Sequence, residues 1–86
     1  MTFDQRLLRL IRQLGDRVIH SAAVVELVEH NERGVALEML VQNLYEDSAP
    51  ITEEERADCI ELTEELPLGT DLSALVGALP IVPRPR

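Results

Sequence analysis

Three side chains in this sequence are of types that often take part in catalysis or metal binding, namely His20, His30 and Cys59. Two lone histidines without a second cysteine make a poor zinc site. A histidine at a helix end, as predicted for His30, is favoured by the helix dipole alone. Cys59 falls on a predicted buried stripe, where a thiol usually packs inertly. The four glycines form no phosphate-binding loop. We therefore expect no catalytic site, no metal and no cofactor.

A serine carrying a phosphopantetheine arm is the second chemistry considered, because acyl-carrier proteins are also small, acidic helical bundles. Such carriers place an Asp-Ser-Leu motif at the start of an inner helix. Here Asp47-Ser48 is followed by Ala49-Pro50 at the end of a predicted helix, and Asp71-Leu72-Ser73 has the wrong order. The carrier interpretation therefore ranks third among the functions considered, and a mass shift on a serine would reveal it.

Charge distribution says more about function than these side chains do. Sixteen acidic residues face eight arginines, so the formal net charge is −8. Residues 26–71 hold fourteen acidic residues and two arginines, a net charge of −12, whereas residues 1–25 carry +2. Aromatic residues make up only 2% of the chain, too few for the stacking platforms of a single-stranded nucleic-acid binder. The balance disfavours nucleic acid and anionic membranes and favours a cationic protein partner.

Acidic residues recur on one face of the fourth predicted helix, at i, i+4, i+7 and i+11. Like charges at these spacings destabilise a helix by about 0.2–0.5 kcal/mol per pair. This face is either a solvated surface that keeps the protein soluble or one whose repulsion a basic partner relieves. The absence of arginine at i+4 favours the second interpretation. The predicted contact surface comprises Tyr45, Glu46, Asp47, Glu54, Asp58, Glu61 and Glu65.

Tyr45 is the predicted apolar anchor of that surface, because aromatic residues are enriched at binding hot spots and this chain has so few. The alternative place for Tyr45 is the edge of the bundle, with its hydroxyl in water. Glu46 and Asp47 end the third predicted helix and Glu54 begins the fourth across a short loop, so we expect them at one edge of the helix pair.

Helices must position these side chains, because apolar residues recur at helical rather than strand spacing. The first helix ends at Gly15-Asp16, and the second begins near Ser21 and ends around residues 29–31, where Asn31 tolerates a left-handed turn. The apolar stripe of the first helix comprises Phe3, Leu7, Leu10, Ile11 and Leu14.

The third predicted helix is apolar on two faces, with Val35 and Met39 opposite the main stripe, and this pattern predicts a central position in the bundle. The main stripe comprises Leu37, Leu40, Val41 and Leu44. The helix is expected to end before Ser48-Ala49-Pro50, because proline restricts the residue that precedes it.

The fourth predicted helix begins with a capping box formed by Thr52 and Glu55, and it ends near Glu65 or Leu66 because Pro67 cannot continue it. Its inward positions are predicted to be Cys59, Ile60, Leu62, Thr63 and Leu66. A short fifth helix opens at Thr70-Asp71, and its apolar residues are Leu72, Leu75, Val76 and Leu79.

Together these elements predict one all-α domain over residues 1–80, a small bundle of four helices plus a short fifth C-terminal helix. Residues 81–86 are expected to form a Pro/Arg tail that frays. The N-terminus lacks an apolar signal core, and no apolar run approaches the ~18 residues of a membrane span. With Cys59 as the only cysteine there is no intrachain disulfide, so we expect a cytoplasmic protein.

The middle of the chain carries a series of short motifs in close succession. An acidic helix end, a His-Asn-Glu turn, a glycine and Ala-Leu-Glu lie within residues 25–38. A Leu-x-x-x-Leu-Tyr-Glu phrase at residues 40–46 and Pro-Ile-Thr-Glu-Glu-Glu at residues 50–55 follow. In this order and spacing, the motifs resemble those of MafI-type immunity proteins of bacterial polymorphic toxin systems, and the resemblance covers residues 25–68. Family members often have cysteine where Val41 stands, and valine fits the same core position.

The resemblance implies a cytoplasmic protein that binds the C-terminal domain of a cognate secreted toxin and protects the producing cell without catalysis. Such toxins are commonly nucleases, whose active sites are basic because they hold phosphates. An acidic helical bundle would then mimic the charge of the substrate or plug the site. The alternative function is an acidic helical adaptor or regulatory module with no toxin partner. Adjacency to a gene for a large secreted protein that ends in a toxin domain would separate the two.

Overall fold

The computed structural model describes residues 2–66 and 72–82. These residues form five helices: α1 (Phe3–Leu14), α2 (Ser21–Glu29), α3 (Arg33–Glu46), α4 (Glu53–Glu65) and α5 (Leu72–Gly77). A 3₁₀ turn, Gly15–Arg17, follows α1. The described residues contain no strand, only one isolated β-bridge. The predicted all-helical bundle of four helices with a short fifth is confirmed.

Local sequence explains where the helices begin and end. The predicted capping box at Thr52 is present, and Thr2 forms a second one with Gln5 at the start of α1. Asn31 adopts a left-handed backbone after α2, with φ of 62°, as its residue type predicts. Ser48 does the same after α3, with φ of 48°, so the chain leaves this helix two residues before Pro50.

The core is aliphatic and lies where the helical stripes meet. In α1 the buried residues are Leu7, Leu10, Ile11 and Leu14, as predicted. In α3 they are Ala36, Leu37, Leu40, Val41 and Leu44, and α5 adds Leu72 and Val76. Helix α3 packs against α2, α4 and α5.

The second apolar face of α3 is only partly covered. Val35 is 49% exposed, whereas Met39 is partly buried and packs against the core.

Helix α4 departs from its predicted inward face at several positions. Cys59 and Leu62 are buried as predicted, whereas Ile60, Thr63 and Leu66 are only half-buried. The carboxylate of Glu55, by contrast, is 1% exposed and counts among the largest fully buried side chains. A charged residue therefore occupies a position that an amphipathic pattern assigns to the solvent.

The first two residues of the predicted tail, Ile81 and Val82, are attached to the loop before α4 and are not frayed. The Ile51 N–H donates to the Pro80 carbonyl oxygen at 3.0 Å, and the Val82 N–H donates to the Ile51 carbonyl oxygen at 2.9 Å. These bonds form a parallel bridge between Ile51 and Ile81. Residues 83–86 and the predicted opening of the fifth helix at residues 70–71 lie outside the described residues.

Candidate functional site

The acidic stripe predicted on α4 is exposed, but α1 lies along its edge. The Arg6 guanidinium donates from Nη1 to the Glu65 carboxylate at 2.6 Å and from Nη2 to the Glu61 carboxylate at 3.2 Å. An arginine early in α1 therefore binds carboxylates late in α4, which means that the two helices run antiparallel. Part of the repulsion within the stripe is relieved inside the chain.

A groove of about 460 Å³ continues this contact toward the start of α4. Its basic wall carries Arg6 and Arg9 from α1, its acidic wall carries Glu54 and Asp58 from α4, and Leu10 and Leu62 also line it. The four acids of the stripe thus form one side of a seam whose other side is basic. We name this feature the α1–α4 seam, comprising Arg6, Arg9, Glu54, Asp58, Glu61 and Glu65.

The other three predicted contact residues lie apart from this seam, at the C-terminal end of α3. Tyr45 is 46% exposed, and Glu46 and Asp47 are exposed beside it. None of the three lines the groove between α1 and α4. In the described part of the chain, no arginine or histidine forms an ion pair with Glu46 or Asp47. The predicted surface therefore divides into a group on α4 that Arg6 and Arg9 partly compensate and a group at the end of α3 that forms no ion pair.

Glu55 has a role that the sequence analysis missed. Its two carboxylate oxygens accept hydrogen bonds from Nη1 and Nη2 of Arg17 at 2.8 and 2.7 Å. The Thr52 N–H donates to the same carboxylate at 2.9 Å. Burial raises the pKa of Glu55, but these hydrogen bonds and the charge of Arg17 outweigh burial and hold the pKa below its usual value of 4.5. This buried ion pair fixes the start of α4.

The three side chains considered for catalysis do not converge. His20 is exposed ahead of α2, and His30 is exposed at the other end of that helix, with Nδ1 2.8 Å from the Glu26 carbonyl oxygen. Burial, with the nearby carboxylates Asp58 and Glu55, raises the pKa of the Cys59 thiol to about 12. The thiolate, which is the nucleophilic form, is therefore scarce at neutral pH.

Residues 2–66 and 72–82 show neither a metal-binding cluster nor a helix suited to a bilayer. No group of three or more histidine, cysteine, aspartate and glutamate side chains is arranged there to hold a metal ion. None of the helices combines the length and the apolar character that crossing a membrane would require.

The surface features that remain are an acidic end of α3, a compensated seam between α1 and α4, and exposed apolar side chains on α3. Comparisons of this chain with protein-family models, with curated proteins and with solved structures found no match.

Proposed function

We propose that this chain is an immunity protein that binds and neutralises a cognate secreted polymorphic toxin in the cytoplasm of the producing cell. It acts without catalysis, by occluding a basic surface of the toxin's C-terminal domain. The toxin is a nuclease or another enzyme that acts on an anionic substrate, because such enzymes need the basic active site that an acidic inhibitor fits.

The observation that carries this proposal is a set of carboxylates that form no ion pair. In the described part of the chain, the set comprises Glu26, Glu29, Glu32, Glu38, Glu46 and Asp47. These residues lie on α2, on α3, in the turn between these helices or directly after α3, within the segment that resembles the immunity family. Uncompensated charge on a packed helical scaffold repels nucleic acid and attracts a basic protein.

The test is co-expression of this chain with the C-terminal toxin domain encoded beside it, followed by purification and a growth assay. We expect a stable complex, and we expect cells that carry both genes to grow where cells that carry the toxin alone do not. The association rate should fall steeply as salt rises, because carboxylates steer the encounter. A chain without a neighbouring toxin gene, or one that neither binds nor protects, would favour the adaptor function instead.

A further inference from the structure

The side of α3 opposite its buried stripe is a surface that we call the outer face of α3. It comprises Val35, Glu38, Met39, Gln42, Tyr45 and Glu46. At 100° per residue these positions span an arc of about 120°, opposite the buried stripe. Val35 and Tyr45 are about half exposed, and they lie about 15 Å apart along the helix axis at 1.5 Å per residue. The face is therefore long enough to contact two turns or more of a partner helix.

Among residues 2–66 and 72–82, four large apolar side chains are exposed, and two of them, Val35 and Tyr45, lie on this face. The other two are Ile19, before α2, and Ile81, in the C-terminal segment. Met39 lies between Val35 and Tyr45 along the axis, and it is partly buried against the core. Exposed apolar and aromatic side chains on one helix are typical of interfaces. The face thus offers apolar contact as well as charge.

Carboxylates lie among and beside these apolar side chains. Glu38 and Glu46 fall within the same arc, and Asp47 follows at the helix end. None of the three forms an ion pair with another described residue, whereas Glu61 and Glu65 on α4 share Arg6. The outer face of α3 therefore combines exposed apolar side chains with carboxylates that form no ion pair.

We propose that the outer face of α3, with Asp47 at its end, is the surface on which this chain binds its partner. The partner presents a basic segment with an apolar centre, a helix or helix-like ridge, so that Tyr45 is buried while the carboxylates meet cations. The α1–α4 seam fits this partner less well, because Arg6 and Arg9 line it beside its carboxylates and would repel a basic segment. This inference deepens the proposed function and rests on it for the identity of the partner as a toxin.

Charge complementarity selects this occupant over the others. A second copy of the chain would bring a second set of uncompensated carboxylates to the same face, and like charges in contact are unfavourable. Phosphates of nucleic acid or of an anionic lipid surface would meet the same repulsion. A basic protein segment is the occupant that removes both the exposed apolar area and the unbalanced charge.

The surface is tested without the toxin, using a synthetic amphipathic helix of leucine and lysine as the probe and the full chain labelled with ¹⁵N. We expect amide shifts concentrated in residues 35–47. Tyr45→Ala should weaken probe binding about tenfold, because a central aromatic anchor is lost. Glu46→Gln/Asp47→Asn should weaken it about fivefold at low salt and less at high salt.

The matched control is Glu61→Gln/Glu65→Gln, which removes the same number of charges from the α1–α4 seam and should change probe binding less than twofold. Shifts centred on the seam, an equal loss in the control variant, or no shifts at millimolar probe would overturn the proposal. Self-association through residues 35–47, seen as shifts that depend on chain concentration without probe, would also overturn it.

The same variants separate this inference from the proposed function. If the toxin complex forms and the α3 variants bind the toxin as tightly as the parent does, the immunity function stands and this surface is wrong. If the probe maps to α3 but no complex forms with the neighbouring toxin domain, the surface stands and the immunity function fails.

Discussion

Arg17 joins the end of α1 to the loop before α4 and to the first turn of α4, more than 30 positions further along the chain. Its Nε and Nη2 donate to the carbonyl oxygens of Leu14 and Gln13 at the end of α1. Its Nη1 donates to the Pro50 carbonyl oxygen in the loop before α4, and both terminal nitrogens bind Glu55. Only the planar fork of arginine can make this number of directed bonds at once.

Arg17→Ala should therefore destabilise the fold by about 3 kcal/mol, because it leaves the buried Glu55 carboxylate without its cation. The stability of Arg17→Lys should lie between that of the parent and that of Arg17→Ala, since lysine keeps the charge but not the planar guanidinium. Urea unfolding measures the change. Arg12→Ala, at an exposed arginine of α1 with no bond to another described residue, should stay within about 0.5 kcal/mol of the parent. A loss below ~1 kcal/mol for Arg17→Ala would show that the pair contributes little.

Glu55 also predicts a pH dependence of stability. Its pKa is lowered in the folded state, so the unfolded state binds its proton first as pH falls below 4.5. The stabilisation from the ionised pair is fully present above that pH and is lost on acidification through the folded pKa. Between pH 4.5 and more acidic conditions, the free energy of unfolding should fall more steeply for the parent than for Glu55→Gln. Equal slopes in urea titrations across this range would contradict the assignment.

At the scale of the helices, α4 shows what a sequence can and cannot reveal. The capping box of Thr52 and Glu55 was predictable because its two members are three residues apart. The bond from Glu55 to Arg17 spans 38 positions, and that from Arg6 to Glu65 spans 59. No helical period encodes such pairs, so the acidic stripe looked uncompensated and Glu55 looked exposed. The amphipathic pattern gave the helices and the main core stripes, but not which helix covers which face.

The α1–α4 seam should make a small and salt-sensitive contribution to stability. The carboxylates that Arg6 binds are about half exposed or more, and exposed pairs contribute about 0–1 kcal/mol. Arg6→Gln should lower the free energy of unfolding by about 0.5–1 kcal/mol at low salt, and the effect should shrink in 1 M salt.

Arg9→Gln is the matched control for the seam, because Arg9 lies in the same groove but forms no ion pair with another described residue. Its effect in urea unfolding should be smaller than that of Arg6→Gln at every salt concentration. Equal effects of the two variants would mean that general attraction, and not the bonds from Arg6, joins the helices.

Across the whole molecule, folding redistributes the charge asymmetry of the sequence. Two arginines of the basic N-terminal quarter bind carboxylates of the acidic second half. Arg6 binds Glu61 and Glu65 late in α4, and Arg17 binds Glu55 at the start of that helix. The carboxylates of α2 and α3 receive less of this compensation, since Arg33 binds Asp4 instead. The count of charges along the sequence predicts an acidic protein with a basic partner. It does not predict which helices keep carboxylates without an ion pair.

The segment after α5 is held against the loop between α3 and α4 by the bridge between Ile51 and Ile81. Ile51 is fully buried, and its loop connects α3 to α4. The segment after α5 therefore holds in place the loop that carries the Pro50 carbonyl, one of the acceptors of Arg17. The buried ion pair and the C-terminal bridge meet at this loop, so loosening either one should weaken the other.

Val82→Pro tests this closure, because proline removes the N–H that donates to Ile51 while the extended backbone of a bridge still accepts it. Val82→Ala keeps the N–H and only trims the side chain. In urea unfolding, Val82→Pro should lower the free energy of unfolding by ~1 kcal/mol more than Val82→Ala does. The Ile51 amide, which donates to Pro80, should also exchange its hydrogen faster. When Val82→Pro is combined with Arg17→Ala, the free energy of unfolding should fall by less than the sum of the two single losses, because both substitutions act on one loop. Strictly additive losses would show that the bridge and the ion pair stabilise the fold independently.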